Sequence, residues 1–405
     1  MTWQLPMSVA GTFSSKCTRA AVIACALLLQ ACAVSSELSS ARLQFRSGSV
    51  ETAQQTLSTA EVSQRDKLLL LLDKGLVAQA AGQYQQSAVA FEDAYQLIDR
   101  LDFVSARDQA SALIVNDWAI RYSGEYSERL WIHTFQMINY LMMGQPQGAA
   151  VEARRAVALF EEHGDVLNSD LFTRYLMALS FDAAGQSDSA SVEFRKLKEQ
   201  LGRNINPLRT TKEHTDVILL IASGFMPPKL PGDLVVNIDA RISFPFYPDV
   251  VNRAPSISVR SDNEYLPLER IDTHLLPVAQ NALAKRGKAI AARHALRLAA
   301  KYNLAKNIEE QDPLAAELAR LFFLVIEQAD TRSWETLPAW LSLVRVSVPL
   351  DTPSLSIDIG STHGSLSSHR RQILLGGEDS RAPGQPQFRI IRTGVQNHGV
   401  LIASP

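Results

Sequence analysis

Side chains able to perform covalent chemistry are present in this chain, but none stands at a spacing that such chemistry requires. The densest polar and aromatic run is QADTRSWETLP at 328–338. Asp330 and Arg332 are placed to pair there, Trp334 to anchor a helix leading to Pro338, and Ser333 is a hydroxyl that a base would have to activate. No histidine neighbours Ser333 in sequence, so the run reads as a joint between helix and sheet rather than a catalytic site. The stretch GSTHGS at 360–365 has the glycine spacing of a nucleophile elbow, with Thr362 where the nucleophilic serine belongs. HExxH and GxxxxGK motifs are absent from the sequence. His363, His369 and His398 lie in loop-like sequence without ligand spacing, which predicts no metal and no other cofactor. On these grounds the chain is not expected to be an enzyme.

One residue does have a chemistry written into its surroundings. Lys16 and Arg19 precede the apolar run AAVIACALLLQA at 20–31, which is too short for a stable membrane span. The run ends in Leu29-Gln30-Ala31-Cys32, the pattern of a bacterial lipobox, in which the leader is cut before the cysteine and the thiol takes a diacylglycerol. The plainer alternative is a secretory leader with Cys32 incidental. Acyl chains contribute roughly 0.8 kcal/mol per buried methylene, so a lipidated Cys32 would anchor the chain to a membrane durably. Ala33 rather than aspartate follows the cysteine, which by its resemblance to lipoprotein sorting signals favours the outer membrane over the inner. Residues 1–31 are therefore expected to be a lipoprotein signal peptide, with translation starting at Met1 or at Met7. Cys17 and Cys25 would leave with the leader, so no disulfide and no cysteine-bound metal is expected. The 40 basic and 42 acidic residues of the whole chain balance near neutrality, which speaks against a nucleic-acid partner.

The elements that would position any site fall into two halves. From 71 to 94 the sequence LLDKGLVAQAAGQYQQSAVAFEDA reads as a helix–turn–helix unit. Gly75 and Ala78 permit close approach, Gly82 ends the first helix, and Tyr84, Ser87, Phe91 and Ala94 follow at helical spacing. The same offsets recur around Gly48, Gly144 and Gly185. Gly48 and Gly82 are 34 residues apart, the tetratricopeptide period, and later spacings are irregular. An additional helix is expected near 105–122. The predicted unit is an all-α tetratricopeptide-like solenoid over 32–206, with an irregular helical bundle as its alternative. The concave face of such an array comes mostly from the first helix of each pair. That nominates Lys74, Gln136, Asn139 and Arg174 as partner-binding residues. Tyr122, Glu125, Tyr126, Trp131 and His133 cluster before the third unit, as an aromatic ligand face or as core. Arg154 and Arg155 are placed to meet an acidic peptide or to stay solvated.

After Asn206-Pro207 the pattern changes. Short apolar runs at 217–224, 256–260, 355–360 and 387–394 read as strands, and 234–246 as one half-buried strand. Helices are expected at 272–305 and 313–329, and a flexible loop at 376–387. The whole is expected to be α+β, with 207–405 a smaller α+β domain carrying a mainly antiparallel sheet. Lys285, Arg286, Lys288, Arg293, Arg297, Lys301 and Lys306 form a basic helical stretch, read as a solvated face in preference to an anion site.

Three stretches, LLLLLDKGLVAQAAGQY (68–84), ERLWIHTFQMINYLMMGQPQGAAVEARRA (128–156) and QADTRSWETLPAWLSLVRVSVP (328–349), together with the lipobox, carry a wider likeness. In them the chain resembles an uncharacterised family of Gram-negative envelope lipoproteins with a tetratricopeptide-like N-terminal half. At Leu350-Asp351-Thr352-Pro353 it departs from the family pattern. The resemblance implies location and architecture but no chemistry. The expected function is that of a periplasmic lipoprotein on the outer membrane, acting as a protein–protein scaffold or adaptor in cell-envelope biogenesis. Envelope proteins would bind through the repeat groove, and the membrane would be met through the lipid. The alternative is a C-terminal domain that binds or acts on cell-wall glycan, motivated by Trp334, Trp340 and the basic helix, with peptidoglycan as partner.

Overall fold

Four glycines close the helical hairpins of the first half. The computed structural model describes residues 36–108, 121–209, 211, 213–237, 240–310, 313, 316–317, 328–361, 368–375, 386–393 and 400–403. Helices α1 (Ser36–Arg46) and α2 (Val50–Thr59) turn at Gly48, and α3 (Lys67–Ala80) and α4 (Tyr84–Asp108) at Gly82. Helices α5 (Tyr126–Met142) and α6 (Pro146–Leu167) turn at Gly144, and α7 (Leu171–Ala183) and α8 (Ser187–Leu201) at Gly185. All four glycines have positive φ, between 66° and 88°, where a side chain would clash with the following carbonyl. The helix expected near 105–122 lies largely outside the described residues; α4 itself continues to Asp108, and Tyr122 is in no helix.

The second half contributes β1 (His214–Ser223), β2 (Leu230–Asn237), β3 (Ala240–Phe246), β4 (Ile257–Ser261), β5 (Glu264–Tyr265) and β6 (Glu269–His274). Helix α9 (Leu275–Glu309) follows, then β7 (Trp340–Pro349), β8 (Ser354–Gly360), β9 (Ser368–Leu374), β10 (Gln387–Thr393) and β11 (Val400–Ala403). They form a five-stranded sheet in the order β11-β10-β1-β7-β6, a four-stranded sheet β5-β4-β8-β9 and a hairpin β2-β3. The β1–β10 pair is parallel and the other described pairs are antiparallel. Helices first and strands after make the protein α+β.

The strand period of two distributes the apolar residues of the five-stranded sheet between two cores. Ile218, Leu220, Leu341, Leu343, Phe388 and Ile390 join the core of the helical hairpins. Val217, Leu219, Ile221, Val344, Val346 and Ile391 pack instead on Val259, Leu355, Ile357, Ile359 and Ile373 of the four-stranded sheet. The result is three layers, with the central sheet covered on both faces. That is why β1 reads as an unbroken apolar run and not as an alternation. The described strands all follow position 206/207, yet one core runs across it.

Several local expectations change. The single strand at 234–246 is a hairpin of two strands, β2 and β3. Asp272 ends no loop into a helix but pairs within β6, and α9 begins at Leu275. Residues 328–338 contain no helix, so Trp334 anchors an irregular segment. Most of 313–329 and of 376–387 lies outside the described residues. In the β2–β3 hairpin, Leu230 faces Phe246 and Gly232 faces Phe244, which puts Leu230, Leu234, Phe244 and Phe246 on one face. These four are 40–56% exposed.

Gly75 of α3 shows why the hairpins need small residues. A Cβ built there would lie 2.4 Å from the Phe91 ring, which is fully buried and packed on Phe135 and Trp334. The ring has nowhere to retreat. Gly75→Ala is therefore expected to cost about 1–3 kcal/mol through overpacking, read as a lower urea midpoint with an unchanged slope.

Candidate functional site

The first helix of each hairpin faces the rest of the chain, and the chain fills that face itself. Arg42 of α1 donates to Glu335 Oε1 (2.8 Å) and to Asp73 Oδ2 of α3 (2.7 Å), and Asp73 Oδ1 accepts from Thr336 (2.8 Å). The Trp334 backbone N–H donates to Glu128 Oε1 of α5 (2.8 Å), and its indole N–H to Thr336 (2.9 Å). Its ring stands edge-on to Phe91 and Phe135. On α7, the Phe172 N–H donates to Thr273 of β6 (2.9 Å), and Tyr175 donates to Glu269 (2.5 Å). Segment 330–337 and the central sheet thus cover the first helices of the hairpins.

This relocates the residues nominated for partner binding. Gln136 donates to the Ala88 carbonyl (3.0 Å), and Asn139 donates to Ser87 (2.9 Å) while accepting from Gln79 (2.7 Å). Arg174 pairs with Glu193 (2.9 Å) over the Phe160 ring. All three are at most 3% exposed, so they tie helices to one another and cannot meet a partner in a groove. The physical reason is that a hydrogen bond between helices satisfies a buried amide or guanidinium that would otherwise be costly. Lys74 alone of the four reaches solvent; burial, and then Lys67, lower its pKa. Cys32 lies outside the described residues.

The cluster before the third hairpin divides between core and cavity. Trp131 is buried with its N–H on Asp170 Oδ2 (2.9 Å). Tyr122 donates to Glu128, and Glu128 in turn accepts from the Glu125 N–H (3.0 Å), a reciprocal cap on α5. Glu125 is buried and bound by Lys229 (2.7 Å) and Arg286 (2.8 Å). Burial alone would raise its pKa, but the two cations hold the carboxyl down to about 2. The Arg332 guanidinium joins Asp66 (3.2 Å) to Asp330 (2.7 Å), extending the ion pairs along the same segment.

Tyr126 and His133 instead line a cavity of about 470 Å³ between α4, α5, α6 and the start of α9. His133 Nδ1 is 2.7 Å from Glu152 Oε2, and Glu152 Oε1 accepts from Arg155 (2.9 Å). A carboxylate that also binds a guanidinium accepts, so the Nδ1–H donates to Glu152. Arg155 also lies over the Tyr95 ring and pairs with Glu92. At the other side Tyr126 packs at a tilt against His163, with ring centroids 3.9 Å apart, and His163 sits at a break in α6 (φ −126°, ψ 25°). Burial lowers the His163 pKa, and the Lys285 ammonium 3.4 Å from Nδ1 acts in the same direction. Lys285 and Arg286 therefore turn inward, onto Asp165 and Glu125, while Lys306 is exposed; the side chains of Lys288, Arg293, Arg297 and Lys301 lie outside the described residues.

Sequence reasoning missed Glu152, Lys229 and Tyr95, which reach the site only through the fold. Glu125 and Glu128, three residues apart at a helix start, carried a capping signal that would have placed them. Among the described residues no group of three His, Cys, Asp or Glu side chains is arranged to hold a metal ion. Compared with family models, with curated proteins and with solved structures, the chain matches none.

The Glu125 ion pairs set a pH dependence. Its folded pKa is depressed from the ordinary 4.5 to about 2, so it contributes stability above pH 4.5 that is lost as pH falls towards 2. Glu125→Gln is expected to cost about 3–5 kcal/mol at neutral pH, because it leaves Lys229 buried and unpaired. Urea unfolding of both proteins from pH 7 to pH 2 should show the difference narrowing below pH 4.5.

Proposed function

We propose that the protein is a periplasmic lipoprotein, tethered to the outer membrane through Cys32, that serves as a scaffold or adaptor for other envelope proteins. Its four helical hairpins are read as a tetratricopeptide-like solenoid whose concave face is closed by its own C-terminal half. The role is recognition and not covalent chemistry. The observation that carries this reading is the β2–β3 hairpin. Leu230, Leu234, Phe244 and Phe246 share one face there and stay 40–56% exposed, whereas both faces of the five-stranded sheet are covered. Contiguous exposed apolar side chains of this kind mark protein contacts. The glycan alternative loses one of its supports, since Trp334 is 1% exposed between Phe91 and Phe135.

Two measurements test the reading. Cross-linking in intact cells from a photoreactive residue at Phe244 should capture an envelope protein, and Leu234→Ser with Phe246→Ser should reduce capture without lowering stability. Capture that is unchanged in the double variant would reject the hairpin as the contact. Cys32→Ser should abolish metabolic acyl labelling and move the protein from the membrane to the soluble fraction; retention in the membrane would reject the anchor.

A further inference from the structure

Two arginines lie together where β10 meets the end of α1, with no anion between them. Arg392 of β10 is 7% exposed, and its Nη2 donates to the Thr336 carbonyl (2.7 Å). Arg46 closes α1 and donates from Nη2 to the carbonyl of the neighbouring residue, Glu335 (3.0 Å). Adjacent carbonyls thus hold both guanidiniums. Both also lie over the Phe225 ring, Arg392 at 5.0 Å and Arg46 at 5.6 Å from its centroid. The Nε–H of each is buried and has no hydrogen-bond partner among the described residues. Burial, and then the Arg46 charge, lower the Arg392 pKa to about 9, so both groups stay charged at neutral pH.

The carboxylates within reach are already engaged. Glu335 Oε1 accepts from Arg42 (2.8 Å) and Asp73 Oδ2 accepts from it as well (2.7 Å), which leaves Arg46 a contact of 3.7 Å to Glu335 Oε2. No carboxylate pairs with Arg392 among the described residues. Three guanidiniums therefore face two carboxylates, and the cluster is one negative charge short. Contact with the Phe45 and Phe225 rings offsets part of the cost of a buried cation, but it does not satisfy an N–H.

We propose that Arg392 and Arg46 bind a carboxylate, whose two oxygens accept from the unpaired Nε–H groups and whose single charge completes the balance. Arg46 is 30% exposed along its side chain and Phe225 is half-buried, so entry is from the Arg46 side. Phosphate carries more charge than the cluster lacks, and its tetrahedral shape suits flat aromatic neighbours less well than a planar group does. The carboxylate has two sources, a free acid or the C-terminal end of a bound polypeptide. The inference goes beyond the adaptor role and stands on different residues from the β2–β3 contact.

The full chain without its leader, labelled with ¹⁵N at arginine, is titrated at an ionic strength fixed with chloride. The probes are acetate, inorganic phosphate, and an N-acetylated tetrapeptide as its free acid and as its C-terminal amide. The expected result is a saturable shift of two Nε–H resonances, one of them the signal missing from Arg46→Lys, with both carboxylate probes and not with the amide. Arg46→Gln, at a partly exposed position, should weaken carboxylate binding roughly tenfold through loss of a charge-assisted contact. Tighter binding of the tetrapeptide acid than of acetate assigns the site to a polypeptide end, and comparable binding assigns it to a free acid. Shifts that do not saturate, phosphate bound more tightly than either carboxylate, equal binding of the amide, or an unchanged affinity in Arg46→Gln would overturn the proposal.

Discussion

Trp334 sits where three parts of the molecule have to meet. Its ring fills the space between Phe91 of α4 and Phe135 of α5, its N–H groups reach Glu128 and Thr336, and Thr336 holds Asp73 of α3. A helical hairpin buries only one stripe of each helix against its partner, so an array of hairpins keeps a second apolar stripe in need of a cover. Here that cover is the chain's own 330–337 segment and the face of the sheet that follows it. Gly75 is required by the same contact, because Phe91 can lie flat against α3 only if no Cβ intervenes. The central sheet, in turn, can afford apolar residues on both sides only because the helices occupy one of them.

Charge burial gives this junction its register. Arg42, Asp73, Glu125, Lys229 and Arg332 are each nearly excluded from solvent and each paired. Ion pairs of this kind add little net stability over well-packed apolar residues, but any other alignment would leave a charge alone in the core. They therefore select one docking of segment 330–337 on the helices over its neighbours.

Much of this was legible in the residues. The four hairpin glycines at 48, 82, 144 and 185 stand at their turns with positive φ, because a left-handed turn leaves a local signature of type and spacing. Strands at 256–260, 355–360 and 387–394 were visible for the same reason: alternation and flanking turn residues are local. What lay hidden depends on distance along the chain. Gln136, Asn139 and Arg174 look like groove residues from helical phase alone, and only the packing of adjacent hairpins shows their side chains turned inward. His133 and Glu152 are on different helices, so no spacing rule joins them. The run at 328–338 was recognisable as a junction, yet nothing in it announced that its tryptophan would close the array.

The bond from Arg42 to Glu335 joins residues 293 positions apart. A ribosome or a translocation channel delivers the helices long before it delivers the segment that covers them. During that interval the hairpins at 36–201 are present with Phe91 and Phe135 not yet covered by Trp334, so that apolar surface stays wet until the later segment arrives. The order of synthesis thus creates a transient state in which the first helices present an apolar face that segment 330–337 later covers. Any factor that binds such an apolar face would meet it only before synthesis is complete.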